Sequence, residues 1–205
     1  PFHWFIEFHG LMHKGGFDVV IGNPPWVEYR NVSNQYKVQN YKTNRCKNLW
    51  AFVSERSLDL LSQRGCLGLI VPMSLVSTER MKSLQDILSG KGINWISSYE
   101  SDSNPGQLFE GVKQNVSIFF HIGRPETLIH TNRLFRFFSD YRDFIFSNLE
   151  YTECTSSYLE YGIPKIGREI ENSIFQKMFS HAKLNNSMSS RGESIYVHRI
   201  CHYYI

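Results

Sequence analysis

The chain lacks any apolar stretch long enough to cross a membrane. Its longest apolar runs are Phe17–Gly22, interrupted by Asp18, and residues 66–71. Both fall far short of the roughly 20 residues that a membrane-spanning helix needs. No secretory signal peptide is visible at the start of the sequence. The sequence therefore predicts a cytoplasmic protein.

Cysteine is sparse, and its spacing excludes the common motifs. The four cysteines contain no CxxC pair, which predicts reduced thiols rather than a disulfide framework. His198 and His202 flank Cys201, but no second group of ligands follows at the spacing of a zinc site. We therefore predict no metal site. The cysteines are Cys46, Cys66, Cys154 and Cys201.

Neither positive nor negative charge is in large excess. The 22 basic and 19 acidic residues give a net charge of +3, which is weak evidence for a polyanionic partner. With 41% apolar and 15% aromatic residues, the composition is that of a globular protein and excludes a disordered tail, a collagen or a coiled coil. A length of 205 residues is enough to bury a core.

Short apolar runs alternate with helical patterns over residues 1–123. Strands are predicted at 16–22, 66–71, 93–99 and 116–122, and helices at 48–64, 78–89 and 169–179. Asn48 and Thr78 are the predicted N-caps, and Gly65 is the predicted residue after the first helix. This order predicts an α/β sheet whose first half precedes Pro1.

The four residues after the first predicted strand carry the chemistry. Pro24 and Pro25 remove two backbone donors, so strand pairing must stop and the chain must form an extended turn. Ligands of open α/β sheets bind at this carboxyl end of the strands. Asn23 offers a side-chain carbonyl there, the next peptide carbonyls are left free, and Trp26 offers a flat surface.

Two carbonyl acceptors that face one spot suit an NH₂ group. An NH₂ group on a planar ring that stacks on an aromatic side chain is the exocyclic amine of a nucleobase. Two hydrogen bonds from that nitrogen favour its tetrahedral, nucleophilic form. Such a nitrogen can attack a sulfonium methyl group without a strong base.

The segment GFDVVIGNPPW, residues 16–26, resembles motif IV of the amino-methyltransferases, the (N/D/S)PP(Y/F/W) group. Residues 2–27 resemble the adenine-specific methyltransferases of type II restriction–modification systems, including the large single-chain type IIG forms. Residues 48–77 resemble motifs V and VI of that family, and residues 108–122 resemble the segment that leads into motif VIII. The resemblance covers residues 2–123.

This resemblance implies a Rossmann-like sheet and a methyl transfer from S-adenosylmethionine to the N6 amine of a flipped adenine in double-stranded DNA. In the family pattern, Asn23 and the Pro24 carbonyl would bind the amine, Pro25 would keep the turn rigid, and Trp26 would stack on the base. A second aromatic of the family lies on the motif VIII strand. Phe119 and Phe120 occupy that place, and we favour Phe120.

The polar, aperiodic sequence of residues 27–47 predicts a long loop. Its local charge is +4, because the segment contains five basic residues and a single acid, Glu28. The loop is either a solvated polar segment or a surface that faces DNA, with Tyr29 and Arg30 near the substrate. Its basic residues are Arg30, Lys37, Lys42, Arg45 and Lys47, and its tyrosines are Tyr29, Tyr36 and Tyr41.

The family's glycine-rich cofactor loop has no match in this chain. The cofactor site is therefore expected upstream of Pro1, and the chain alone is expected not to methylate a substrate. Residues 1–123 are predicted to be part of a catalytic domain, and residues 124–205 the start of a target-recognition region. Methylation of an RNA base or of a protein glutamine amide stays an alternative, as does a non-catalytic remnant or DNA-specificity module.

Overall fold

Six strands form one mixed sheet. The computed structural model describes residues 3–35, 37–101, 108–109, 111–136, 143–154 and 162–180. The order across the sheet is β1-β2-β4-β3-β5-β6. β1 runs parallel to β2 and β3 runs parallel to β5, whereas β4 is antiparallel to both neighbours and β6 is antiparallel to β5. The strands are β1 (Phe17–Gly22), β2 (Leu61–Pro72), β3 (Ile93–Tyr99), β4 (Val116–Ile122), β5 (Leu128–Thr131) and β6 (Thr152–Cys154).

Within the described residues, six helices accompany the sheet, and two of them, Leu49–Leu60 and Lys82–Ser89, cover one of its faces. Their apolar side chains, among them Trp50 and Leu84, form the main core with Leu69 and Phe119 of the sheet. The helices are α1 (Trp4–Glu7), α2 (His9–His13), α3 (Leu49–Leu60), α4 (Ser74–Ser77), α5 (Lys82–Ser89) and α6 (Glu169–Ser180).

The opposite face of the sheet is covered only in part. A second core forms near the ends of β3 and β4, where Tyr99 and Ile118 pack with Ile145. The other half, beside β1, is an apolar groove of about 540 Å³. Val19 is 65% exposed there and Ile21 is 80% exposed. Within the described ranges, no strand pairs with the outer edge of β1.

The four predicted strands are confirmed, but β2 begins at Leu61 rather than at residue 66, and the first helix ends at Leu60 rather than at residue 64. Asn48 caps α3 by accepting a hydrogen bond from the backbone N–H of Trp50 at 3.4 Å, as predicted. The prediction that Gly65 follows this helix is wrong, because α3 ends at Leu60 and Gly65 lies inside β2. A Cβ at this position would come 2.7 Å from the carbonyl oxygen of Phe17, so the glycine permits close packing of β1 and β2.

The second predicted helix, 78–89, is interrupted. A short 3₁₀ helix, Glu79–Met81, precedes α5. Thr78 occupies the N-cap position of this 3₁₀ helix, as predicted, and has the extended backbone of a cap, but its side chain makes no capping hydrogen bond. The helix predicted at 169–179 is confirmed as α6. Five short elements, α1, α2, α4, β5 and β6, have no periodicity long enough to reveal them in the sequence.

Residues beyond 123 contribute to the same sheet. β5 pairs with β3, and Ile129 and Ile166 lie in the main core. The domain boundary between residues 123 and 124 stays a prediction. Cys46, Cys66 and Cys154 are free thiols, as expected, and burial raises the pKa of Cys154 to about 12. Cys201, His198 and His202 lie outside the described residues.

The turn between α5 and β3 requires a glycine at position 92. Its φ is +52°, and an added Cβ would collide with the carbonyl oxygen of Ile122 and with the imidazole of His121. We expect Gly92→Ala to lower the free energy of unfolding by about 2–4 kcal/mol in urea titrations. Gly10→Ala is the matched control, because that glycine lies in α2 with open space around it. Equal stability of the two variants would contradict the requirement for glycine at this turn.

His121 is a buried neutral imidazole. The side-chain N–H groups of Asn94 donate to the carbonyls of Leu88 and Lys91, so the Asn94 Oδ1 is left as an acceptor. His121 Nδ1 lies 3.0 Å from that oxygen and must therefore be the protonated ring nitrogen. Burial, with a smaller contribution from the Lys91 charge, lowers the pKa of His121 below its ordinary value.

This lowered pKa makes stability depend on pH. The stabilisation is fully present above the unfolded-state pKa of about 6.5 and is lost as the pH falls toward the lower folded-state value. We expect the free energy of unfolding to fall between about pH 7 and pH 5 and His121→Gln to make that fall shallower. His13→Gln, at an exposed position of α2, should leave it unchanged. A pH profile that is identical in wild type and His121→Gln would refute this assignment.

Candidate functional site

The Asn-Pro-Pro-Trp turn leaves the sheet at the carboxyl end of β1. Gly22, the last residue of β1, pairs with Leu69 of β2, and β2 continues to Pro72. The turn therefore lies beside the last residues of β2. Asn23 is exposed and Pro24 is buried. Within the described part of the chain, no protein group forms a hydrogen bond with the Asn23 side chain, so its amide oxygen can accept one from a ligand.

Trp26 is fixed by the sheet. Its indole N–H donates to the carbonyl oxygen of Ile70 in β2 at 3.3 Å. The ring packs against both cores, yet the residue stays partly exposed. The backbone N–H of Val27 also donates to the carbonyl of Pro25 at 3.0 Å, which tightens the turn. The indole therefore has one fixed orientation next to Asn23.

A backbone bridge ties the exit of the turn to the start of α3. The N–H of Leu49 donates to the carbonyl of Val27, and the N–H of Tyr29 donates to the carbonyl of Lys47, both at 2.9 Å. Lys47 has a φ of +51°, which reverses the chain just before α3. The residues between Tyr29 and Lys47 thus form a loop whose two ends are joined by these backbone hydrogen bonds. We call this junction, residues 27–29 and 47–49, the neck of the loop.

Side chains reinforce this neck. Arg80 donates to both carboxylate oxygens of Glu28, at 3.2 and 2.7 Å, and Asn48 donates to one of them at 3.3 Å. The Arg80 hydrogen bond, opposed by a smaller effect of burial, lowers the pKa of the Glu28 carboxyl group. Because Arg80 lies outside the loop and neutralises the loop's single acid, the excess of positive charge on the loop is greater than its sequence indicates.

The body of the loop packs on α3. The rings of Tyr29 and Tyr41 lie 5.5 and 5.6 Å from the ring of Phe52, and the Tyr29 hydroxyl accepts the backbone N–H of Val38 at 3.0 Å. Tyr29, predicted to contact substrate, is therefore also part of the loop's framework. The five basic residues of the loop, including Arg30, are exposed. Tyr36 lies outside the described residues.

Phe119 and Phe120 point to opposite faces of β4. Phe119 is fully buried in the main core. Phe120 is 46% exposed and lies over Gly68 in the apolar groove. Gly68 is two residues before Ile70, so Phe120 lies about 7 Å farther down the strand than the carbonyl that binds Trp26. The structure brings Asn23, Trp26 and the basic loop together and leaves Phe120 lower on the sheet.

Two residues that organise this site were not singled out from the sequence. Nothing in the sequence around Arg80 distinguishes it from other arginines. It holds the loop because it donates to Glu28, which lies 52 residues away in the sequence. Glu55 occupies the buried side of α3 close to Phe52 and binds the loop. The signal for Glu55 was present in the sequence, since an acid on the apolar side of a predicted helix requires a partner.

The described residues contain no group of three or more histidine, cysteine, aspartate or glutamate side chains that could hold a metal ion. Within the same residues, no helix has the length and apolar character needed to span a bilayer.

Comparison with known proteins matches about half of the chain to a family. The profile of the Eco57I restriction-modification methylase family matches residues 1–104. A protein of Methanocaldococcus jannaschii, provisionally named a type II restriction enzyme and methyltransferase, is 36% identical over 91 residues, which are 44% of this chain and 8% of that protein. The chain thus spans a small part of its curated relative.

Solved structures share the fold. DrdV in complex with DNA superposes with a TM-score of 0.55 at 14% identity, covering 70% of this chain and 18% of that one. A nuclease-deletion mutant of the Type ISP restriction-modification enzyme LlaGI, bound to a DNA substrate mimic, gives 0.56 at 12% identity, covering 73% and 18%. The predicted α/β, Rossmann-like sheet is confirmed.

The family profile matches just over half of the chain and includes the strand, the proline turn, the closed loop and both helices that pack on the sheet. This chain belongs to the Eco57I restriction-modification methylase family.

Proposed function

We propose that this chain is part of the catalytic domain of a DNA methyltransferase of a restriction–modification system, which transfers a methyl group from S-adenosylmethionine to the N6 amine of adenine. The observation that carries this proposal is the exposed Asn23 amide beside a Trp26 ring that the sheet holds in place. The family supports methyl transfer, and the turn supports an amine as the acceptor.

Asn23 and Pro24 would activate the amine by accepting both of its protons in hydrogen bonds. This draws the nitrogen lone pair out of conjugation with the base and toward a tetrahedral geometry. The nitrogen would then be held ready to accept an electrophilic methyl group and to release one proton to water. S-adenosylmethionine supplies that electrophilic methyl group. The protein's contribution is positioning and hydrogen bonding rather than a strong base.

Trp26 would bind the base after it leaves the duplex. An amine paired inside the helix cannot reach a pocket in the protein, so the adenine must be flipped out. The fixed, partly exposed indole then offers a stacking surface. Phe120 remains our candidate for the second face of the base, because its half-exposed ring lies on the same face of the sheet as the Ile70 side chain.

No described residue is assigned to the cofactor. A glycine-rich loop after a strand is absent from the sequence, and the free outer edge of β1 faces an uncovered apolar groove. We propose that the cofactor-binding half of the sheet pairs with this edge. Parallel strands are found with both faces covered, which explains why Val19 and Ile21 are exposed in this chain alone.

Double-stranded DNA is the proposed partner. The loop between Tyr29 and Lys47 presents five exposed cations next to the turn, as phosphate binding requires. DrdV and LlaGI, which share the fold, were solved with DNA or a DNA mimic. We propose that residues 124–205 begin the target-recognition region and that the protein acts in the cytoplasm.

The role of Asn23 can be tested in the full-length enzyme that contains this chain. We expect Asn23→Ala to lower kcat for methyl transfer to duplex DNA by about 100-fold or more, because one of two acceptors for the amine is lost. Affinity for S-adenosylmethionine should not change. Asn23→Asp keeps an acceptor and should retain more activity. The assay follows labelled methyl groups, with nucleosides resolved after the reaction.

Gln63→Ala, which removes an exposed side-chain amide near the start of β2 and away from the turn, is the matched control and should keep full activity. Full activity of Asn23→Ala would refute the assigned mechanism. Label on RNA or on a protein glutamine, with none on DNA, would favour those acceptors instead. Failure of the wild-type protein to bind S-adenosylmethionine would favour a non-catalytic remnant.

A further inference from the structure

Glu55 is a buried carboxylate that the proposed methyl transfer does not use. It lies in the middle of α3 and is only 7% exposed. Burial of a carboxylate is costly unless hydrogen bonds compensate it. Glu55 therefore needs partners, and the loop provides them.

Three donors of the loop satisfy Glu55. Its Oε1 accepts the backbone N–H of Lys42 at 2.9 Å. Its Oε2 accepts the backbone N–H of Thr43 at 2.8 Å and the Thr43 hydroxyl at 2.6 Å. Thr43 is fully buried. These donors begin the short 3₁₀ helix Lys42–Cys46, so one side chain of α3 fixes where this part of the loop starts and how it is oriented.

The bond to Glu55 complements apolar contacts that are less directional. Tyr29 and Tyr41 pack on Phe52, and Cys46 lies in the main core with its sulfur 3.2 Å from the hydroxyl of Ser83. Apolar contacts hold the loop down, whereas charged hydrogen bonds to two successive backbone N–H groups also set its conformation. The side chains of Lys42 and Arg45, at the same segment, point to solvent.

We infer that Glu55 is a positioning residue, which acts through Thr43 to hold the cations of the loop in register for the phosphates of DNA. This inference rests on the proposed DNA-binding function and adds a residue to it. Glu55 touches neither the base nor the cofactor. An acid thereby strengthens binding to a polyanion, which is opposite to the effect of its charge alone.

That opposition makes the test specific. Glu55→Gln and Asp59→Asn each remove one negative charge from α3, but Asp59 is half exposed and makes only a long ion pair of 3.8 Å to Lys91. If charge alone mattered, both variants would bind DNA slightly better than wild type. If Glu55 positions the loop, only Glu55→Gln binds DNA more weakly than wild type. The NH₂ group of the glutamine would face a backbone N–H group of the loop and could not accept its hydrogen bond.

The experiment measures affinity of the full-length enzyme that contains this chain for a mixed-sequence duplex of about 30 base pairs by fluorescence anisotropy, at salt concentrations from about 50 to 200 mM. We expect Glu55→Gln to weaken DNA binding about 5- to 20-fold. The slope of log affinity against log salt concentration should become shallower by about 0.9 or more, which corresponds to the loss of at least one phosphate contact. Thr43→Val, which removes the hydroxyl donor, should have a smaller effect in the same direction, and Thr43→Ser should behave as wild type.

The salt slope distinguishes positioning from general destabilisation, because loss of folded protein lowers the active fraction without changing the slope. Thermal melts identify an unfolded variant, and the two Thr43 variants then decide the question. The inference is overturned if folded Glu55→Gln binds as Asp59→Asn does, or if Thr43→Val binds as Thr43→Ser does. If the wild-type enzyme does not bind DNA at any salt concentration, the proposed DNA-binding function fails, and the role of Glu55 with it.

Discussion

The backbone bridge between the exit of the proline turn and the start of α3 is the constraint on which the rest of the site depends. Val27 and Tyr29 exchange hydrogen bonds with Lys47 and Leu49, so the chain must return to the point where it left the sheet. Without this closure, the 26 residues between β1 and α3 would have no fixed path. With it, the turn, the basic loop and the N-terminus of α3 form one unit at the carboxyl edge of the sheet.

Side-chain hydrogen bonds hold this unit at three places. The Trp26 indole binds a carbonyl of β2, Glu28 joins Asn48 to Arg80, and Glu55 binds the far side of the loop. These contacts hold the backbone of the unit, whereas the Asn23 amide and the five basic residues of the loop are exposed to solvent. Rigid backbone with exposed functional groups is what catalysis by positioning requires.

The sequence was sufficient to predict β1 to β4 and the location of the turn, because apolar runs and consecutive prolines act locally, whereas the short strands β5 and β6 were missed. Asn48 as the cap of α3 was also predictable, since capping involves neighbouring residues. The end of α3 was not, because Gly65 is required by packing against Phe17 rather than by a helix terminus. The partners of Glu28 and Glu55 were not predictable either, since they depend on how distant segments pack.

The central claim is that the turn binds an amine, and the most direct measurement is the position of the methyl group on the product. The full-length enzyme would be incubated with duplex DNA and S-adenosylmethionine, and the nucleosides would be separated and identified by mass spectrometry. The account predicts N6-methyladenine, with the methyl group on an exocyclic nitrogen. A methyl group on a ring carbon, as in 5-methylcytosine, would contradict it, because two carbonyl acceptors at Asn23 and Pro24 have no part in activating carbon.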